Sequence, residues 1–177
     1  MKLHLDDIPP EGLEVSFGLE GLGAAELGPQ VARVVQVLRA ELRLERRGRR
    51  VTARGGYRGA VKLVCSRCLA ELDYQAAGEM DLVFLPQEME PPSTEEVQLS
   101  REQMAVVFYQ GDELDLGLAL RDEFCLGIPM APLCRQDCRG LCPRCGKSLN
   151  HGDCGCRSKE IDPRWAALAR LKEPKAG

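Results

Sequence analysis

Leu38-Arg39-Ala40-Glu41-Leu42-Arg43-Leu44-Glu45 alternates without a break between apolar and charged side chains. Successive side chains of a strand point to opposite faces, so Leu38, Ala40, Leu42 and Leu44 share one face and the charges share the other. This predicts a half-buried strand. Arg46-Arg47-Gly48-Arg49-Arg50 follows, and Gly48 is placed to reverse the chain into Val51-Thr52-Ala53 as a hairpin. Gly55-Gly56 predicts a second break. Tyr57, Gly59, Val61, Leu63 and Cys65 then fall on one strand face. Leu72, Tyr74 and Ala76 alternate again, followed by Met80, Leu82 and Phe84 against Glu79 and Asp81. The reading is an antiparallel meander from about residue 31 to residue 85.

Upstream, Leu3/Leu5 and Val15/Phe17/Leu19 alternate as short strands. Downstream, residues 86–100 hold Pro86, Pro91, Pro92 and several acids, the composition of a linker. Val106-Val107-Phe108-Tyr109 reads as a returning strand. A helix over residues 115–128 follows, with Asp115 as its cap and Leu116, Ala119, Leu120, Phe124 and Ile128 on one face. Pro129 and Pro132 stop it. Asp162-Pro163 opens a last helix that would dock through Trp165, Leu168, Ala169 and Leu171. The expected fold class is α+β: an antiparallel β-meander or partly closed barrel with few helices, and a C-terminal cysteine-rich zinc-knuckle module. Residues 1–130 form the β-rich domain with its acidic linker and helix. Residues 131–177 form the metal-binding module and C-terminal helix.

The chain has 177 residues, of which 44% are hydrophobic and 29% charged, enough to bury a core. No apolar stretch approaches the roughly 20 residues of a membrane helix. Acids stand where a signal peptide would have its apolar centre, in Met1-Lys2-Leu3-His4-Leu5-Asp6-Asp7. The expectation is a cytoplasmic protein. In a reducing compartment nine cysteines point to metal rather than to disulfides.

Eight of the nine fall in pairs: Cys65/Cys68, Cys134/Cys138, Cys142/Cys145 and Cys154/Cys156. Cys142-Pro143-Arg144-Cys145-Gly146-Lys147 is the most specific, because two intervening residues let both thiolates reach one ion from a tight turn. Pro143 fixes one backbone angle, and Gly146 tolerates the positive φ such a turn needs. One pairing puts Cys142, Cys145, Cys154 and Cys156 around one ion and Cys65, Cys68, Cys134 and Cys138 around a second, pinning the sheet to the module. The rival puts Cys134, Cys138, Cys142 and Cys145 around a single metal or an iron–sulfur cluster. Two structural zinc ions are the expected cofactors. Cys125, beside Phe124 on a helix face, reads as a small buried apolar residue. His151 could stand in for a cysteine. A redox role for Cys65 and Cys68 lacks the surrounding βαβ pattern.

A net charge of −3 hides strong segregation. Residues 33–58 hold nine arginines against two glutamates, residues 79–123 twelve acids against two arginines, and residues 134–159 six basic residues against two aspartates. Arg46, Arg47, Arg49 and Arg50 at the hairpin tip, with Arg139, Arg144, Lys147 and Arg157 in the cysteine module, are the candidate contacts for phosphate. Because Arg46 and Arg47 lie at a hairpin tip, Arg46→Glu with Arg47→Glu is expected to reduce partner binding and spare the fold. The acidic segment could instead dock a basic ribosomal protein, which makes a protein–protein adaptor one alternative; an iron–sulfur or redox protein is the other. There is no phosphate-binding loop, no Ser-His-Asp set and no His-Glu-x-x-His motif. Sites built only of thiolates leave no open coordination position, so the expected role is binding, not catalysis.

The order Cys65-Ser66-Arg67-Cys68-Leu69, Leu126-Gly127-Ile128-Pro129 through Cys134, Gly140-Leu141-Cys142 through Asn150, Cys154-Gly155-Cys156 and Asp162-Pro163-Arg164 resembles the YceD family. These are the large ribosomal RNA subunit accumulation proteins. The resemblance spans roughly residues 30–172. It implies a bacterial or plastid-type factor for accumulation or processing of large-subunit (23S) rRNA, with no catalytic residue to carry over. Large-subunit rRNA or a ribosomal precursor would be the partner, with a ribosomal protein as the other candidate. No small-molecule substrate is implied.

Overall fold

The computed structural model describes residues 1–90 and 105–156. Most of the expected linker, Arg157 and the helix expected after Asp162 lie outside the described residues. Within them the elements are β1 (Lys2–His4), β2 (Leu13–Leu19), β3 (Val31–Arg47), β4 (Arg50–Val64), β5 (Glu71–Pro86), β6 (Val106–Tyr109), β7 (Glu113–Asp115) and α1 (Leu116–Gly127).

Five strands form one sheet in the order β2-β3-β4-β5-β6. The meander is antiparallel through β5, and β6 joins it in parallel. The short strands β1 and β7 pair separately. Among the described residues the large sheet stays open, with β2 and β6 at its edges, so the meander is the observed form and no barrel closes. Register follows the alternation: Leu44 lies opposite Ala53, Leu42 opposite Gly55 and Ala40 opposite Tyr57. A slip of one residue would turn Leu38, Leu42 and Leu44 out to water. All three are almost completely buried.

Gly55-Gly56 does not break the strand. Strand β4 runs straight through both residues. Gly55 faces inward where β3 crosses so closely that a Cβ would collide with the Glu41 carbonyl oxygen and sit 2.9 Å from the Leu42 Cα. Glycine is needed there for a close crossing, not for a turn. Gly59 and Gly78 serve the same face: a Cβ on Gly59 would lie 3.2 Å from the Phe124 ring, and one on Gly78 would lie 2.8 Å from the Tyr57 ring.

Helix α1 fills the space these glycines leave. Asp115 caps it by accepting from the Leu118 amide at 2.9 Å. Leu116, Ala119, Leu120 and Phe124 are buried against the sheet. Removing side chains such as Leu120 and Phe124 from water contributes roughly 2–3 kcal/mol each. Phe124 meets Tyr57 edge-on, with ring centroids 6.2 Å apart. Ile128 turns extended because Pro129 follows it, which ends the helix. The Tyr74 hydroxyl donates to the Gly127 carbonyl at 2.6 Å. The helix end is thereby fixed, and the chain is aimed toward the turn after β4. No helix among the described residues is long and apolar enough to cross a membrane.

Candidate metal centres and basic surfaces

Cys65 follows the last residue of β4, at the start of the turn into β5. The turn closes through the Cys65 amide donating to the Ala70 carbonyl at 2.9 Å and the Leu69 amide to the Cys65 carbonyl at 3.0 Å. It forces Leu69 to φ 60°, a costly conformation for a branched residue. Two hydrogen bonds bring in the loop after α1: Ser66 donates to the Pro132 carbonyl through its amide at 2.8 Å and its hydroxyl at 3.1 Å. Arg67 donates to the Cys138 carbonyl at 3.0 Å. Cys134 and Cys138 are thus carried onto the β4–β5 turn.

The four sulfur atoms of Cys65, Cys68, Cys134 and Cys138 lie within 4.8 Å of one another. Cys65 and Cys138 are 3.8 Å apart, Cys68 and Cys134 3.6 Å. A tetrahedral ion with metal–sulfur bonds of about 2.3 Å separates its thiolates by about 3.8 Å, whereas a disulfide joins them at about 2.05 Å. The spacing suits thiolates around one ion. Cys65, Cys68 and Cys138 are buried, with Leu72, Leu133 and Leu141 packed around them, and Cys134 closes the exposed side.

The second quartet is local. The Cys142 amide donates to the Lys147 carbonyl at 2.8 Å and the Gly146 amide to the Cys142 carbonyl at 2.9 Å, a tight knuckle with Gly146 at φ 70°. Cys154 and Cys156 come back to it, and Gly155 at φ 73° lets cysteines separated by a single residue face one point. The sulfurs of Cys142, Cys145, Cys154 and Cys156 lie within 4.8 Å of one another. Cys134 and Cys138 group with the sheet cysteines and not with Cys142 and Cys145. Cys125 stands apart, its thiol 3.7 Å from the Leu27 carbonyl and pushed up by burial. Both quartets could hold metal ions.

Thiols of one quartet differ in acidity according to what each touches. Burial pushes the Cys65 thiol up, but amides of Cys134, Cys68 and Arg67 outweigh it and hold the thiol down to about 6. The Cys145 and Arg144 amides hold Cys142 down to about 6. Cys134, desolvated and sharing its proton with Cys68, Cys138 and Cys65, is pushed up to about 12. Cys156 is pushed up to about 12, chiefly by its contacts with Cys145 and Cys154. Cys138 is held down as well, first by the Asn150 side chain. Cys65 and Cys138 of the first quartet and Cys142 of the second therefore ionise readily, while Cys134 and Cys156 resist because of burial and hydrogen bonds shared with their neighbouring thiols.

Asn150 couples the two quartets, a role that sequence reasoning did not find. It sits in the loop of the second quartet and donates from Nδ2 to the Cys138 sulfur of the first at 3.3 Å. Its Oδ1 accepts from the Arg139 amide at 2.8 Å and from the Arg135 guanidinium at 3.0 Å. A single asparagine carries no local signature of such a bridge.

The structure divides the candidate basic residues. Arg46 is held inward, donating to the Leu5 carbonyl at 2.7 Å and pairing with Asp6 at 3.1 Å. Arg49 reaches Glu88 and the Gly111 carbonyl. Arg139 is paired with Asp153 at 2.6 Å. Arg47 and Arg50 lie directly opposite each other across the hairpin and, among the described residues, make no ion pair. With Glu45, Thr52 and Arg54 they line a shallow hollow of about 320 Å³. Arg144 and Lys147 are exposed on the second knuckle, also without an ion pair among the described residues.

The family model of the large ribosomal RNA subunit accumulation protein YceD matches residues 53–172. An uncharacterized protein of Mycobacterium tuberculosis H37Rv is 31% identical over 155 residues, which are 86% of this chain and 71% of that protein. An uncharacterized protein of Mycobacterium leprae is 31% identical over 134 residues, 76% of this chain and 58% of that one. The chloroplastic large ribosomal RNA subunit accumulation protein YCED homolog 1 of Arabidopsis thaliana is 34% identical over 61 residues, 34% of this chain and 19% of the plant protein. No solved structure matches.

Proposed function

The chain belongs to the YceD family of large ribosomal RNA subunit accumulation proteins, and from that premise we propose a non-enzymatic, cytoplasmic ribosome-biogenesis factor that contacts large-subunit rRNA on a scaffold fastened by two structural zinc ions. The observation that carries this reading is the convergence of eight thiols into two quartets. Four thiolates complete a tetrahedral shell and leave no position for water or substrate. A single ion suits four sulfurs that all lie within 4.8 Å of one another, since a cluster puts several irons between its thiolates and spreads them wider.

The first quartet, on this reading, clamps the β-rich part, residues 1–130, to the cysteine-rich part, residues 131–177. The second shapes a knuckle that presents Arg144 and Lys147. Arg47 and Arg50 form the other basic surface. Like charges directly opposite each other on a hairpin cost stability, a cost that an anionic partner offsets. Counterion release from phosphate would supply the affinity.

Sedimentation of ribosomal particles from cells depleted of the protein tests this reading. A deficit of large subunits and unprocessed 23S rRNA ends are expected, restored by the wild-type chain and not by a variant carrying Arg144→Glu and Lys147→Glu. Normal large-subunit levels and normal rRNA ends after depletion would overturn it.

A further inference from the structure

We propose that the groove between α1 and the β5–β6 edge of the sheet docks a cationic protein segment carrying apolar side chains. The groove has a volume of about 540 Å³, with Leu82, Val106, Leu118 and Leu126 on its floor. Leu118 and Leu126 lie two helical turns apart on α1, on a stripe separate from the one that packs the core. They are 45% and 82% exposed. Exposed leucines aligned on one groove are an interaction signal that single scattered ones are not.

The rim gives the sign of the occupant. Glu79, Asp81, Asp122 and Glu123 border the groove. Asp81 is matched by Arg54 at 3.0 Å and Asp122 by Arg121 at 2.7 Å. Glu79 and Glu123 have no ion pair among the described residues. An apolar floor between acids favours leucine- or phenylalanine-type anchors flanked by lysine or arginine, and it repels phosphate. One wall is β6, a four-residue strand that pairs with β5 and is the edge of the sheet among the described residues. A sheet edge of this kind can pair with an extended segment through main-chain groups. This surface is opposite in sign to the one assigned to rRNA, and it stands or falls separately.

Fluorescence anisotropy of the full chain tests it, using three labelled probes: a short leucine–lysine peptide, a leucine–glutamate peptide and an oligouridine. The leucine–lysine probe should bind saturably and weaken as salt rises. Leu126→Asp, at a solvent-facing position, should weaken that probe about tenfold or more, as should Glu79→Lys combined with Glu123→Lys. Circular dichroism should be unchanged, and so should oligouridine binding. Absent binding to the wild type, equal binding to all variants, or equal binding of the acidic probe would overturn the proposal. Oligouridine binding lost in Leu126→Asp would assign the groove to RNA. Tighter probe binding to the variants would assign it to the chain's own residues. Either result would overturn the proposal. Oligouridine binding that fails in every chain, with peptide binding intact, would count against the rRNA reading alone.

Discussion

Asn150 donates to the sulfur of Cys138 across 3.3 Å, so a residue of the second knuckle reaches a thiol of the first quartet. Groups that hydrogen-bond a metal ligand orient it and tune its affinity, and losing one typically costs 10–100-fold in metal binding. Asn150→Ala removes this donor and also frees the Arg139 amide. Asn150→Asp puts an acceptor against a thiolate. Both should speed loss of metal from the quartet of Cys65, Cys68, Cys134 and Cys138, by about tenfold or more in competition with a chromogenic chelator. Unchanged release would mean that the knuckles are independent.

Arg46 and Arg47 are neighbours with opposite tasks. Arg46 satisfies the carbonyl of Leu5, a residue only 1% exposed, while Arg47 has no ion pair among the described residues. Arg46→Ala should cost about 1–2 kcal/mol in urea unfolding, as hydrogen bonds from charged groups do. Arg47→Ala should change stability by less than about 0.5 kcal/mol while weakening RNA binding. Equal effects of the two substitutions on stability would contradict this division.

Gly55 and Gly56 make a sharper pair. A Cβ at Gly55 would strike the β3 backbone at Glu41 and Leu42, which cannot swing aside as a side chain could. At Gly56 the nearest atom is the Gly78 carbonyl oxygen, at an ordinary 3.6 Å. Gly55→Ala should therefore lower stability by about 2–3 kcal/mol or more. Gly56→Ala should be near neutral. Thermal unfolding of the two single variants decides it.

The quartets should fail differently. Cys142, Cys145, Cys154 and Cys156 span one short segment, whereas the other quartet ties the β4–β5 turn to the loop after α1. Metal binding and folding are coupled where ligands must be brought together. Hydrogen exchange in Cys145→Ser should rise over residues 140–156 and stay unchanged in β3 to β5. In Cys68→Ser it should rise at both the turn and the loop from Pro132 to Cys138. The same pattern in both variants would contradict a local knuckle and a long-range clamp.

The meander was legible because β3 from Leu38 to Glu45, and stretches of β4 and β5, alternate apolar and polar residues, and burial of one face fixes the register; before Leu38 the alternation is lost and the β3–β4 register shifts. The helix was legible from Asp115 and from the spacing of Leu116, Leu120 and Phe124. Gly55-Gly56 misled because glycine marks a turn and a close backbone crossing alike, and the chain alone does not reveal what lies opposite. The cysteine spacings indicated tight turns but left open which pairs meet, since Cys65 and Cys138 are brought together by the loop contacts of Ser66 and Arg67. The tip arginines carried charge in the sequence without revealing that Arg46 turns inward. Asn150 was invisible because its hydrogen bonds depend wholly on tertiary placement.

X-ray absorption at the zinc edge, with metal content measured on the same anaerobically purified chain, tests the central claim most directly. Two zinc ions per chain, each with four sulfur neighbours at about 2.3 Å, is the predicted result. Iron in place of zinc, fewer than two ions, or nitrogen and oxygen in the first coordination sphere would contradict it.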